Sequence, residues 1–133
     1  YASYRPMFAE SYDSLLNLSL AENARKISKF LIEKEIRLNE KNSLGEIPIT
    51  LATSMHNLGA VNLLIKKGVD INSTNSKGYT AIMKAVELDN TIMVDFFINN
   101  GADIKLRNNE GKNLLQLATS AKMRKFLISK GVK

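Results

Sequence analysis

The sequence has no cysteine, no tryptophan and a single histidine. Without cysteine there is no disulfide and no thiolate metal site, and the absence fits any redox compartment. A lone His56, with no nucleophile motif elsewhere, lacks the converging partners that metal binding or acid–base catalysis needs. Aromatic residues are scarce, at 7% against an apolar content of 44%. That suits a thin layered core of Leu, Ile, Val and Ala better than a thick globular one. No apolar run approaches the roughly 20 residues of a membrane span. No charged-then-apolar signal segment is present. The chain opens on Tyr1 rather than Met, which reads as a processed or trimmed product. Localisation stays open, the cytoplasm slightly favoured over a periplasmic or secreted form. Acid is missing from one place above all: residues 122–133 hold 5 of the 19 basic residues and no Asp or Glu. The rest of the chain carries 14 basic against 13 acidic residues, so the basicity is a property of the last helix, not of the whole surface.

What the chain does contain is a repeat. Asn42, Asn75 and Asn108 recur at a step of 33 residues, as do Gly45, Gly78 and Gly111, then Ala52, Ala85 and Ala118, with Gly68 and Gly101 in register. A fixed period of this size marks a stacked repeat protein, because one short helix pair cannot bury its apolar faces alone. The divisions expected are an arm over residues 1–8 and a repeat domain over 9–133, with units at 9–41, 42–74, 75–107 and 108–133. At 133 residues this is one domain by size.

Within each unit the pattern predicts a turn, a short helix, a second helix and a stop. Pro6 keeps Arg5 extended, and Tyr4, Met7 and Phe8 are apolar enough to lie against the first unit. There, Leu15, Leu16, Leu18 and Leu20 make one helix, and Ile27, Phe30, Leu31 and Ile32 are assigned to one face of the next. The stop position is Glu35, not glycine. A left-handed backbone at Glu costs about 1 kcal/mol, which predicts a different helix ending. In the second unit Gly45 serves the turn, Pro48 fits the first helical turn, and Leu58, Val61, Leu64 and Ile65 form a buried stripe. The third unit repeats this with Thr80 opening a helix, Ile82 and Ala85 inward, and Met93, Val94, Phe97 and Ile98 as the stripe. The fourth is shorter: Gly111 to Gly131 spans 20 residues, where Gly45 to Gly68 and Gly78 to Gly101 span 23. The missing three are placed between the helices, around 119–121. Seven before the final glycine, Val61 and Val94 give way to Arg124, as expected where an outer face meets water.

These residues resemble the ankyrin repeat family. Gly78-Tyr79-Thr80-Ala81-Ile82-Met83-Lys84-Ala85 matches its pattern at the glycine, the threonine and the final alanine, Gly101-Ala102-Asp103 matches its helix stop, and Pro48 keeps its proline. The family's histidine is replaced by Thr50, Met83 and Gln116, which puts its hydrogen bonds between turns in question. The resemblance covers about residues 9–133. It implies an all-α solenoid of stacked antiparallel helix pairs with protruding β-turn fingers, and non-enzymatic binding of another protein on the concave finger and inner-helix face.

The residues this implies for the partner face are Lys41, Ser43, Leu44, Glu46 and Met55, then Thr74, Lys77, Tyr79, Glu87 and Leu88, then Arg107, Glu110 and Lys112. Ser54, Asp13 and Glu22 stand beside them. Tyr79 is the best single candidate if its ring is exposed; the competing reading packs it on a neighbouring finger. Leu44, Met55 and Leu88 form an apolar patch if uncovered, suited to a partner or to a second copy. No catalytic, cofactor or metal residues are assigned, and no cofactor is expected. The glycines follow the repeat, not a phosphate loop, and His56 fits the left-handed turn between helices. A monomer that binds a protein is expected, with nucleic acid and membrane disfavoured. The alternatives are an inhibitor or immunity-type protein blocking a cognate enzyme or toxin, and an anionic-surface binder working through Lys122, Arg124, Lys125 and Lys130.

Overall fold

The computed structural model describes residues 14–133, so the expected arm and the start of the first unit lie outside the described residues. Four helix pairs follow one another: α1 Leu15–Ala21 with α2 Arg25–Glu33, α3 Pro48–Ser54 with α4 Leu58–Lys66, α5 Ala81–Glu87 with α6 Thr91–Asn99, and α7 Leu114–Leu117 with α8 Ala121–Ser129. The described residues contain no strand.

Local chemistry explains the helix ends. Asn57 and Asn90 cap α4 and α6, each side-chain oxygen accepting from the third amide onward, Ala60 and Met93. Ser14, Thr80, Asn113 and Ser120 do the same for α1, α5, α7 and α8. At the other end, α3 closes with His56 N–H on Thr53 O and Asn57 N–H on Ala52 O. That is the double bond of a left-handed C-terminal motif. Asn57 therefore ends one helix and begins the next, which keeps the link to three residues. His56 has φ +55°, so the turn it was assigned is the turn it makes. Glu35 also has φ +55°, against the expectation of a different ending. The packing of α2 holds the motif although the residue disfavours it.

Packing follows the period. First helices stack on first helices, α1 on α3, α3 on α5 and α5 on α7, while α2 packs on α4. Leu16, Leu20 and Ile32, Ile49, Ala52, Val61 and Leu64, Ile82, Ala85, Val94 and Phe97 are all fully buried. Burying each of the larger ones contributes about 1.5–3 kcal/mol. Ala52 and Ala85 sit where helices of adjacent pairs approach. The α2 face differs from the sequence reading. Leu31 and Ile32 are buried, but Ile27 and Phe30 are 53% and 57% exposed, and Ser28 takes the inward place. Ser28 is one period before Val61, and its hydroxyl bonds to Ser19 Oγ at 2.9 Å, so a polar pair fills the layer there.

The shortened unit is also corrected. The α7–α8 link, residues 118–120, is as long as the α5–α6 link, residues 88–90. The three missing residues come out of the first helix, which has 4 residues in α7 against 7 in α5. Ala118 is extended there, with ψ 129°. Arg124 is exposed, and its Nη1 donates to Ala118 O at 3.1 Å, covering the carbonyl end of the short helix.

Candidate partner-binding face

Three fingers project between the pairs, and one asparagine builds each. Asn42 Oδ1 accepts from the amides of Leu44 and Glu46, Asn75 Oδ1 from Lys77 and Tyr79, and Asn108 Oδ1 from Glu110 and Lys112. The asparagine N–H closes the finger on the carbonyl four residues later, at 2.8–3.0 Å. Neighbouring fingers then join edge to edge: Ser76 N–H donates to Gly45 O at 2.9 Å and Asn109 N–H to Lys77 O at 3.0 Å. Asn109 Nδ2 adds a bond to Ser76 O. Gly45 and Gly78 have φ +79° and +76°, and a Cβ on either would run into Ser76 or Asn109 of the next finger. Glycine is required twice over, for the backbone angle and for the approach.

The fingers lean on the exposed side of the first helices, so the two form one surface. Glu46, at the base of the first finger, accepts from Thr50 Oγ1 at 2.7 Å and from Asn75 Nδ2 at 3.0 Å, and its other oxygen lies 3.7 Å from Lys84 Nζ. Thr50 occupies the position of the absent family histidine, and its hydroxyl instead feeds this carboxylate, which carries the link to the next finger. Lys84 Nζ also stands 5.1 Å over the Tyr79 ring, a cation–π arrangement.

Tyr79 is not an exposed anchor. It is 9% exposed, and its hydroxyl donates to Glu87 Oε2 at 2.7 Å. Burial first, then the hydrogen bond and charge of Glu87, push its phenol up to about 12. The ring leads into α5 one residue ahead of its cap and lies along that helix's own exposed side. Glu87 is thereby engaged as well. Sequence reasoning missed Lys84. The signal was there: the same position holds Leu18, Leu51 and Leu117 in the other units, and a lysine among leucines marks a place where a charge crosses between units on the finger side.

The remaining predicted residues divide cleanly. Leu44 is 82% exposed at the first fingertip, and Lys41, Ser43, Thr74, Lys77, Glu110 and Lys112 are exposed around the three fingers. Arg107 is exposed but ordered, its Nη1 donating to Gly111 O at 2.8 Å and Gln116 Oε1 at 3.3 Å. Met55 is half-buried and Leu88 is 39% exposed. With Glu22 they occupy the C-cap positions of α3, α5 and α1, a row at the far edge of the first helices. Leu44 and Leu88 are therefore at opposite ends of the face, not one patch. His56 is elsewhere, in the turn between α3 and α4, where Nδ1 accepts from the Asn90 side-chain amide at 2.9 Å.

Residues 64–118 match the family described as ankyrin repeats (many copies). The folded chain superimposes on a crystal structure of the ankyrin repeat domain of Bcl-3, a member of the IkappaB protein family, with a TM-score of 0.74. The chain folds as an ankyrin-repeat solenoid. The overlay covers 85% of this chain and 50% of that one at 22% identity, so the chain spans about half the length of its structural neighbour, and the likeness is one of fold. No curated protein matches it in sequence. Ankyrin repeats are in general protein–protein interaction modules, and the fold is typically a non-enzymatic scaffold.

Proposed function

We propose that this ankyrin domain binds a protein partner on the surface made by its fingers and the exposed side of its first helices. One observation carries the reading: Leu44 stands 82% exposed on a fingertip whose backbone is locked by Asn42 and by the next finger. A large apolar side chain carried on a locked backbone gives up only its own rotamer freedom on binding, which favours affinity. Lys41, Lys77 and Lys112, spread along the three fingers, with Arg107 already ordered, suit a partner whose acidic groups run along the finger row from an apolar contact at Leu44. Glu46, Tyr79 and Glu87 act beneath, holding the shape, while Met55 and Leu88 supply the far edge.

The test is affinity capture from the native source with three baits, read by mass spectrometry. Wild type retains the partner, Leu44→Asp with Lys77→Glu loses it, and Lys122→Gln with Lys125→Gln keeps it. A partner held equally by all three baits removes this face from consideration. Two finer roles fit the reading, an adaptor and an inhibitor or immunity-type protein. Assaying the captured partner's own activity with and without the domain separates them.

The basic last helix supports a second reading, association with an anionic surface. Arg124 and Lys130 are engaged, with Ala118 O and Asp95, while Lys122 and Lys125 are exposed and make no ion pair among the described residues. Binding of this kind falls steeply with salt, whereas the fingertip interface keeps its apolar contribution.

A further inference from the structure

Away from the finger side, a groove of about 340 Å³ lies between the second helices α2 and α4. Its charged lining is of one sign: Arg25 and Lys29 from α2 and Lys66 from α4, with no Asp or Glu among its walls. Asn57 and Asn62 are the polar neutral groups, and Leu63 with side-chain-free Gly59 provides an apolar floor. Arg25 is already aimed, its Nη1 donating to Asn57 Oδ1 at 3.3 Å, and Asn57 is itself fixed as the cap of α4. Lys29 and Lys66 make no ion pair among the described residues, whose salt bridges join Arg37 to Glu40, Lys84 to Glu46 and Lys130 to Asp95. Three cations held around one concavity repel each other, and a bound anion relieves that repulsion.

We propose that this groove binds a phosphomonoester. A carboxylate brings one charge and two oxygens. A phosphomonoester brings a charge of about −1.5 to −2 and three strong acceptor oxygens, one for each cation. The guanidinium fork suits it in geometry, and Leu63 offers a surface for the carbon skeleton of the ester. The site is independent of the finger face, because it lies on the second helices. A partner on the fingers and a phosphorylated ligand here would occupy the chain together.

The test is a titration of the intact chain, followed by amide NMR, with glycerol phosphate, with a neutral peptide carrying one phosphoserine, with inorganic phosphate and with acetate at matched ionic strength. The expected result is saturable shifts at Gly59, Ala60 and Asn62 with the two esters, and weaker ones with inorganic phosphate. The exposed pair Lys29→Gln with Lys66→Gln should weaken ester binding by about tenfold or more, the loss of two charge-assisted contacts. Lys122→Gln with Lys125→Gln should leave it within about twofold, as surface charges at a distance do. The tighter of the two esters tells whether the phosphate comes on a small metabolite or on a protein segment. Acetate acting as well as the esters, esters no tighter than inorganic phosphate, or equal losses from the two lysine pairs overturns the proposal.

Discussion

The Asn75 side-chain amide donates to the Glu46 carboxylate at 3.0 Å, joining two fingers across 29 residues of chain. Asn75 shapes its own finger with its oxygen and reaches the previous one with its nitrogen. Glu46 collects Thr50 and Lys84 on the same carboxylate. The pair thus adds a side-chain link to the Ser76–Gly45 backbone bond that already joins the second and third units on the finger side.

Removing that carboxylate should loosen the stack without unfolding it. Glu46→Ala strands the Asn75 amide and the Lys84 ammonium, and hydrogen bonds to charged groups contribute about 1.5–3 kcal/mol. We expect a loss of about 2 kcal/mol, seen as a lower urea midpoint. Glu46→Gln keeps an acceptor for Asn75 and should lose less than half as much. Equal losses would assign the effect to charge rather than to the link.

Tyr79 makes stability fall in alkali. Its folded phenol titrates at about 12, above the unfolded value of about 10. Below pH 10 both states are protonated and the contribution is fully present. Between pH 10 and 12 the unfolded chain releases its proton first, so stability drops as pH rises. Tyr79→Phe removes this slope along with the Glu87 hydrogen bond, about 1 kcal/mol at neutral pH. Denaturant midpoints against pH for the two proteins check it, lysine titration being common to both. A slope unchanged by the substitution would refute it.

Glycine substitutions should rank by their surroundings. Gly45→Ala meets Ser76 as well as a positive φ, while Gly68→Ala meets nothing within 4 Å and only the backbone angle. The second should cost about 1 kcal/mol, the first clearly more. Glu35→Gly runs the other way: its φ of +55° is relieved, for a gain of up to about 1 kcal/mol. Thermal melts of the three variants give the order directly.

Leu44 separates binding from folding. At 82% exposure, Leu44→Ala should change stability by no more than about 0.5 kcal/mol. The same change should weaken the captured partner by 1 kcal/mol or more, about the threshold for an interface anchor. Calorimetry on one protein sample reads both. A stability loss with intact binding would make the fingertip structural.

Much of this molecule is written in short-range chemistry. Asn42, Asn75 and Asn108 make fingers through amides two and four residues on, and His56, Gly68 and Gly101 stop helices within one turn. Such terms act inside a window of about five residues, so a repeating sequence declares them and with them the solenoid. That Leu44 belongs to a finger was legible for the same reason; that no neighbouring unit covers it was decided by the stacking. Long-range occupancy was not legible. Whether Tyr79 faces water or lies down beside Glu87, and whether Phe30 or Ser28 points inward, depends on what the adjacent unit leaves room for. Glu35 takes a left-handed angle because helices packed around α2 outweigh a local preference of about 1 kcal/mol. The fourth unit lost its three residues from α7 rather than from the link, since that link must still return the chain onto α8. Lys84 reached Glu46 only once two units, 38 positions apart in the chain, had been stacked. Sequence determined which turns and helices exist and that they pile up; the tertiary structure decided which side chains the piling buries, pairs or leaves facing water, because only neighbours brought together by folding set that competition.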